Sequence, residues 1–464
     1  MKIKFLFLLF LIIINNIYIT FGFNNNYDQL NSFDQSSSES SSGTNSEGCY
    51  GVPNPHTVYT QKERLVASVS NGVLYQTGPN TNQLYILHLY GTPFEMGEAH
   101  GQLLKAQIQD LLPSFMEFAQ VAVKQFIKSK FAERLPAFLI YIIETFGVNA
   151  ALDYVSSATK PYTPQSFFDE LKGISYGAEV DYTTLLRIHS FAELLKATCS
   201  IVGAWGDATL DGRLLQVRAL DWGIENPLVN HPVLIVYHPE TGNGGPFSIL
   251  TWVSYVGALT GYSQRTGVCE KVWLTYNGTY THDGIPFTLM LKEILQYDNN
   301  NIEALNRIYN TPKTCAIYVG VGSNESATVD IIEYSSSTVR VFDDETPFPG
   351  FDPSPPDHPI IKNIVYVDRH SQPSNDPCLA NELISTYGSI SAATLIDTVG
   401  KEETGDLHAA VYDFSENVIY VSIASTNIPF PFPNKTMPSP AYKNQFMKLD
   451  MNTLFNLPNP TNNK

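Results

Sequence analysis

Between Phe94 and Lys196 apolar residues recur every three or four positions through HGQLLKAQIQDLL, SFMEFAQVAVKQFIKSKFAERL and AFLIYIIETFGVNAALDYV. That is the period of helices that bury one face. Thr163 before Pro164 predicts the N-cap and first turn of another helix over QSFFDELKGISYGAE, and YTTLLRIHSFAELLKA then runs directly toward Thr198 and Cys199. From Cys199 onward the period changes. CSIVGAW, RLLQVRAL, PVLIVYH and FSILTWVSYV are short, rich in β-branched and aromatic residues, and bounded by Gly, Asp, Asn or Pro, as strands are. LHAAVYDFSENVIYVSIAS reads as a hairpin turning at DFSEN, and PFTLMLKEILQYD as one helix among the strands. Helices followed by mostly antiparallel strands predict an α+β layered fold whose architecture changes near Cys199. No internal repeat is present.

The N-terminus follows a different pattern. Lys2 and Lys4 precede an apolar run from Phe5 to Ile14, with small residues at Thr20 and Gly22, which predicts a signal peptide over 1–22. Asn15 and Asn16 stop that run short of the roughly 20 apolar residues a spanning helix needs. No second apolar span follows, so no integral membrane segment is expected after signal removal. Residues 23–48 are dominated by Asn, Ser, Asp, Gln and Glu and read as a disordered leader. The expected compartment is outside the cell or, as an alternative, the lysosomal lumen. Asn-x-Ser/Thr triplets at Asn277, Asn324 and Asn434 are candidate glycosylation sites.

A net charge of −17 without a Lys/Arg cluster excludes a nucleic-acid partner and electrostatic docking on an anionic membrane. No Gly-rich phosphate loop follows a strand, so neither a dinucleotide nor a P-loop is read here. Cysteines and histidines are scattered without ligand spacing, and no metal or other cofactor is expected. The chain has five cysteines, Cys49, Cys199, Cys269, Cys315 and Cys378, an odd number for an oxidising compartment. With Cys199 free, the other four allow two disulfides in three connectivities.

Cys199 itself sits in KATCSIVGAWGDATLDGRLLQVRALDW, residues 196–222. A hairpin folded about Thr209 sets Arg218 opposite Ser200, beside Cys199, whereas a tight turn at Asp211-Gly212 sets it opposite Trp205. A neighbouring guanidinium favours a thiolate, and Asp221 is placed to hold Arg218 or an ammonium group. Read without context, Cys199 is a buried strand cysteine and Arg218 with Asp221 a surface pair. Ser200 lies in no Gly-x-Ser-x-Gly elbow, and His370 and His408 read as structural histidines.

The same segment resembles the one that opens the catalytic chain of cysteine-type N-terminal-nucleophile (Ntn) hydrolases of the isopenicillin N acyltransferase branch. More distantly it resembles acid ceramidase, N-acylethanolamine acid amidase and bile-salt hydrolase. The matching elements are Cys199-Ser200, the turn at Asp211-Gly212, and Arg218-x-x-Asp221. GTPFEMGEAHGQLL is similar to the start of that family's helical propiece, YVGALTGYSQRTGV to its oxyanion-hole loop, and GDLHAAVYDFSENVIYVSIAS to its closing hairpin. The similarity runs from about Tyr85 to Ser425.

The resemblance implies a four-layer αββα Ntn-hydrolase sandwich, with a helical propiece over 49–198 and a catalytic chain over 199–464. Cys199 would attack the carbonyl of Thr198, and the freed α-amino group, near pKa 8 in model peptides, would then serve as the thiol's base. Asp221 would position that ammonium, and Arg218 would hold substrate or polarise the site. Ser263, preceded by Tyr262, stands where relatives commonly show the oxyanion-hole asparagine, and Asp368-Arg369-His370 where they carry an Asn-His pair. Ser263, Tyr262, Arg369 and His370 are thus oxyanion or substrate-binding candidates. The implied activity is hydrolysis or acyl transfer on a linear amide such as an N-acyl lipid or N-acyl amino acid, with the two chains staying associated. A phospholipase-B-like esterase and a non-catalytic secreted scaffold are the alternatives.

Overall fold

The computed structural model describes residues 49–128, 135–194, 197–429 and 436–460. The expected signal peptide and leader, and the glycosylation candidate Asn434, lie outside the described residues. Two large sheets organise the chain. The ten-stranded sheet runs in the order β1 (Arg64–Val69), β2 (Gly72–Thr77), β3 (Leu84–Gly91), β6 (Pro232–Pro239), β7 (Phe247–Trp252), β8 (Thr260–Ser263), β9 (Thr266–Val272), β10 (Ala316–Ser323), β11 (Thr328–Ser335) and β12 (Val339–Phe342). The six-stranded sheet is β13 (Ile364–Val367), β4 (Thr198–Ala204), β5 (Leu215–Asp221), β14 (His408–Asp413), β15 (Val418–Ile423) and β18 (Met447–Asp450). β16 (Ser425–Pro429) and β17 (Thr436–Ser439) form a separate ribbon.

Alternation along the strands explains how the layers meet. Ile201, Ala410 and Val421 pack with Ile86, Leu234 and Tyr318 in a core shared by the two sheets. The neighbouring residues Val202 and Val411 point the other way, as the two-residue period requires, and meet α9 (Cys378–Ser385) and α10 (Ala392–Lys401) through Leu383 and Leu395. The outer face of the ten-stranded sheet, with Leu87 and Ile235, packs on Leu111, Phe115 and Leu291 of the larger helical group. That group comprises α1 (Pro93–Leu103), α2 (Lys105–Phe126), α3 (Ala137–Phe146), α4 (Val148–Thr159), α5 (Gln165–Ala178), α6 (Tyr182–Leu194), α7 (Phe287–Tyr297) and α8 (Asn301–Asn310). The short α11 (Met451–Phe455) adds Met451 and Phe455 to the core between the sheets. Among the described residues no helix is long and apolar enough to cross a membrane.

Several expectations from the sequence are corrected. The segment before Cys199 is not purely helical, because β1, β2 and β3 belong to it. β3 pairs in parallel with β6, from Tyr85↔Val233 to Gly91↔Pro239, in a sheet whose other strand pairings are antiparallel. The first helix turn after Thr163 starts at Gln165 with Pro164 at the N-cap, and the Thr163 hydroxyl instead donates to the Thr159 carbonyl at 3.0 Å. One disulfide forms, Cys49–Cys378, across a sequence separation of 329. Cys199, Cys269 and Cys315 are buried and take part in no disulfide, so the two-disulfide reading fails. Cys269 is enclosed between the sheets, while the Cys315 thiol donates to Glu193 Oε2 at 2.9 Å. The expected DFSEN hairpin is present as β14 and β15, paired from His408↔Ile423 to Asp413↔Val418.

α1 and α5 cross at near backbone contact, because each carries two glycines one turn apart, Gly97 and Gly101 on α1 and Gly173 and Gly177 on α5. A Cβ at Gly97 would stand 2.0 Å from the Glu170 carbonyl oxygen, and one at Gly173 would stand 2.2 Å from that of Phe94. Neither obstacle is a side chain that could swing away. Gly97→Ala and Gly173→Ala should each cost about 1–3 kcal/mol or more, as overpacking does, measured by chemical denaturation. Gly212→Ala, at an open turn position with nothing within 4 Å of the added carbon, should lose less and only through its positive φ.

Candidate active site

The register of β4 on β5 decides what stands beside the thiol. Thr198 pairs with Asp221, Cys199 with Leu220, and Ile201 with Arg218. This is one residue from the pairing expected for a hairpin folded about Thr209, and far from the pairing expected for a tight turn at Asp211-Gly212. The connection is instead two short 3-10 turns, Gly206–Ala208 and Leu210–Gly212, with Asp211 at φ 61° and Gly212 at φ 71°. The one-residue difference has a large consequence. Opposed residues share a sheet face, so Arg218 opposite Ser200 would point away from Cys199, whereas opposite Ile201 it lies on the cysteine's own face.

Arg218 is fully buried there. Its Nη2 donates to Glu270 Oε1 at 3.1 Å, its Nε to Thr260 Oγ1 at 3.1 Å and its Nη1 to the Ala219 carbonyl at 3.2 Å. Because Thr260 Oγ1 accepts from Arg218, its own proton points to His408 Nε2, 2.7 Å away. His408 then serves as a neutral acceptor, consistent with burial and the Arg218 charge holding it well below its ordinary range. Burial works against the Arg218 charge, and the Glu270 carboxylate at 3.1 Å opposes that cost and helps keep the guanidinium protonated. The thiol behaves otherwise. Burial pushes Cys199 up to about 12, and Arg218 opposes that rise only in part. In the continuous chain the expected thiolate is therefore absent at neutral pH.

Asp221 lies on the opposite face and does not hold Arg218. It accepts from Thr404 Oγ1 at 2.8 Å and from the Gly405 amide at 2.6 Å, and Ser200 Oγ joins the same chain through Thr404 at 2.7 Å. Arg369 and His370 follow β13, the other neighbour of β4, where Val367 pairs with Ile201. Arg369 donates to the Glu403 carbonyl and lies 4.0 Å from Asp406. His370 Nδ1 is 3.5 Å from Asp368 Oδ1, a contact that raises the imidazole pKa.

Ser263 and Tyr262 are not brought to this site. Ser263 Oγ accepts from the amides of Thr266 at 2.9 Å and Arg265 at 3.2 Å, building the β8–β9 turn, and Tyr262 donates to Asn417 at 2.9 Å. Ser263 is three strand residues, about 10 Å, beyond Thr260. Sequence reasoning missed Thr260, Glu270 and Lys271, and read His408 as a structural histidine. The signal for two of them was visible: Glu270 and Lys271 are adjacent charges inside the buried strand TGVCEKV. Lys271 is fully buried, its Nζ has no hydrogen-bond partner among the described residues, and burial pulls its ammonium pKa down against the opposing pull of Asp368 and Cys199.

An apolar cleft lies beside this centre, with Leu220, the strand partner of Cys199, and Glu270, the partner of Arg218, among its lining residues. Ala197, Leu220, Trp222, Trp252, Phe115 and Phe191 line it, with Glu270 the charged residue among them. Phe115 and Phe191 precede Cys199 in sequence and Trp222 and Trp252 follow it, so both segments form the cleft. Asn277 and Asn324 are exposed on loops away from these walls. Arg218→Met would strip the buried Glu270 carboxylate of this cation and should destabilise the chain by about 3–5 kcal/mol in chemical denaturation. Adding Glu270→Gln should recover part of that loss.

No protein-family model matches the chain. Among solved structures it is similar to the Caenorhabditis elegans N-acylethanolamine-hydrolyzing acid amidase ortholog, with 14% identity over 54% of this chain and 100% of that one and a TM-score of 0.34. It is also similar to a mutant conjugated bile acid hydrolase from Clostridium perfringens, with 12% identity over 55% of this chain and 93% of that one and a TM-score of 0.35. Likeness at this level carries no argument about chemistry. Similarity to curated proteins is far stronger. Protein dcd1B of Dictyostelium discoideum is 64% identical over 413 residues, 88% of this chain and 83% of that protein. Protein dcd1A of the same organism is 46% identical over 415 residues, 88% of this chain and 94% of that protein. The chain belongs to the family of these two proteins.

Proposed function

We propose that the chain is a secreted, self-processing cysteine amidohydrolase with the αββα sandwich of the Ntn hydrolases, cut between Thr198 and Cys199. The observation that carries this reading is the β4–β5 pairing, which sets Arg218 on the face of Cys199 and Asp221 directly opposite Thr198. In the first step the Cys199 sulfur adds to the Thr198 carbonyl carbon and the Thr198–Cys199 C–N bond breaks. The nitrogen takes a proton and becomes the α-amino group of Cys199, and water then hydrolyses the thioester to release the Thr198 carboxylate. Asp221 has accepting capacity beyond its two bonds to Thr404 and Gly405, enough to hold that ammonium group.

The cut also changes the environment of the thiol. Before it, burial keeps Cys199 protonated, with its pKa pushed up to about 12. Afterwards an α-amino group with a pKa near 8 stands on the same residue and can accept the thiol proton, as general-base catalysis requires. Arg218 remains as a fixed positive charge beside the sulfur. The apolar cleft favours an acyl chain as the substrate's non-polar part, joined through an amide to a polar head outside it. An N-acyl lipid or N-acyl amino acid fits that description, and a lipid ester is the second enzymatic reading.

Export to an oxidising compartment is supported by the Cys49–Cys378 disulfide and by the exposure of Asn277 and Asn324. After cleavage that disulfide would join the two chains, and the shared sheet across β3 and β6 would keep them packed.

Purified protein incubated with N-acyl amino acids of increasing chain length, quenched in acid and digested, should yield an acyl adduct on the peptide beginning at Cys199. The value of kcat/KM should rise about 3–4-fold per added methylene until the cleft is filled, the equivalent of about 0.8 kcal/mol each. Trp222→Ala should flatten that dependence. A processed protein that forms no adduct with amides or esters would point instead to a scaffold without turnover.

A further inference from the structure

A second constellation lies where the β13–α9 connection meets the end of α10, and neither the cleft nor the proposed hydrolysis uses it. Asp368, His370 and Glu402 each direct one ligand-capable atom into a common space, all three atoms lying within 4.8 Å of one another. Asp368 is 2% exposed and Glu402 is 8% exposed. Glu402 Oε2 is buried without a hydrogen-bond partner among the described residues, and buried His370 Nδ1 has only the 3.5 Å ion-pair contact with Asp368 Oδ1. Leaving buried polar atoms poorly satisfied is costly, and two pointing into one space require an explanation. Glu402 adds another cost, since it caps the C-terminal, negative end of α10, where a carboxylate is unfavourable without a cation.

We propose that Asp368, His370 and Glu402 bind a divalent transition-metal ion of the zinc class. Two carboxylates and an imidazole form a donor set suited to such an ion. Ligands at about 2.1 Å around a tetrahedral ion stand roughly 3.4 Å apart, close to the 3.5 Å between His370 Nδ1 and Asp368 Oδ1. The outer shell is also present. His370 Nε2 faces Asp376 Oδ2 at 3.9 Å, beyond hydrogen-bond distance but near enough for that carboxylate to accept from the imidazole N–H once the ring is fixed by an ion, and Asp368 Oδ1 is held by the His370 amide at 2.9 Å and Gln372 Nε2 at 2.6 Å. Arg369 and Lys271 are the cations near this cluster, against the further carboxylates Asp376, Asp221 and Asp406. A bound ion would fix the loop that carries Arg369 alongside β4, next to the Thr198–Cys199 bond. The proposal does not depend on whether that bond is cut.

The test uses the full secreted chain with its disulfide oxidised, stripped by a chelator and titrated with zinc in a calorimeter. One zinc per chain is expected, with a zinc-dependent rise in Tm. Glu402→Gln and His370→Ala should abolish both effects, and Asp376→Asn should weaken binding about 10–100-fold. Cobalt in place of zinc should give a d–d spectrum without a thiolate charge-transfer band, which separates this site from one built on reduced Cys49 and Cys378. His370 is half-exposed, so its variant reports on binding even if the Glu402 variant folds poorly. Absence of zinc binding by the wild type, or binding unchanged in the His370 and Asp376 variants, would overturn the proposal.

Discussion

A guanidinium buried between two sheets must be matched from both sides, and the structure around Cys199 follows from that requirement. Arg218 projects from β5 of one sheet, and its partners Thr260 and Glu270 belong to β8 and β9 of the other. Removing a charge of this size from water costs several kcal/mol unless geometry and hydrogen bonds compensate. The pairing therefore ties the relative position of the sheets to the β4–β5 register. A slip of one residue would turn Arg218 out of the interface and away from Glu270. The same constraint fixes Cys199, two residues from Ile201 on the same face and paired with Leu220, which lines the apolar cleft.

The segments before and after Cys199 are one folded body. β3 of the first pairs with β6 of the second, α2 and α6 provide Phe115 and Phe191 to the cleft, and Cys49 is bonded to Cys378. A cut at Thr198 would open the backbone at the start of β4 without separating any of these contacts. It would also convert a strand amide into an amine beside a buried acid.

Much of this was legible in the sequence where a short-range pattern carries the signal. The helical period of α1 to α6, the strand character after Cys199 and the β14–β15 hairpin are local properties and were read correctly. β1, β2 and β3 were missed because they lie before the helical region and join a sheet whose other strands come more than a hundred residues later. Register was missed for a related reason: two 3-10 turns, not a hairpin turn type, set the β4–β5 pairing. Cys199, Arg218 and Asp221 stand out in the sequence because they share one short stretch, whereas Thr260, Glu270 and His408 come near Arg218 only through sheet packing. Ser263 was misplaced because its position in a resemblance says nothing about the turn that uses its hydroxyl.

The measurement that tests this account most directly is the N-terminal sequence and intact mass of the purified protein beside a Cys199→Ala variant. The account predicts a chain beginning at Cys199 in the wild type, released on reduction of the disulfide, and only the continuous chain in the variant. A folded wild type that stays continuous through incubation at neutral and acidic pH would contradict it.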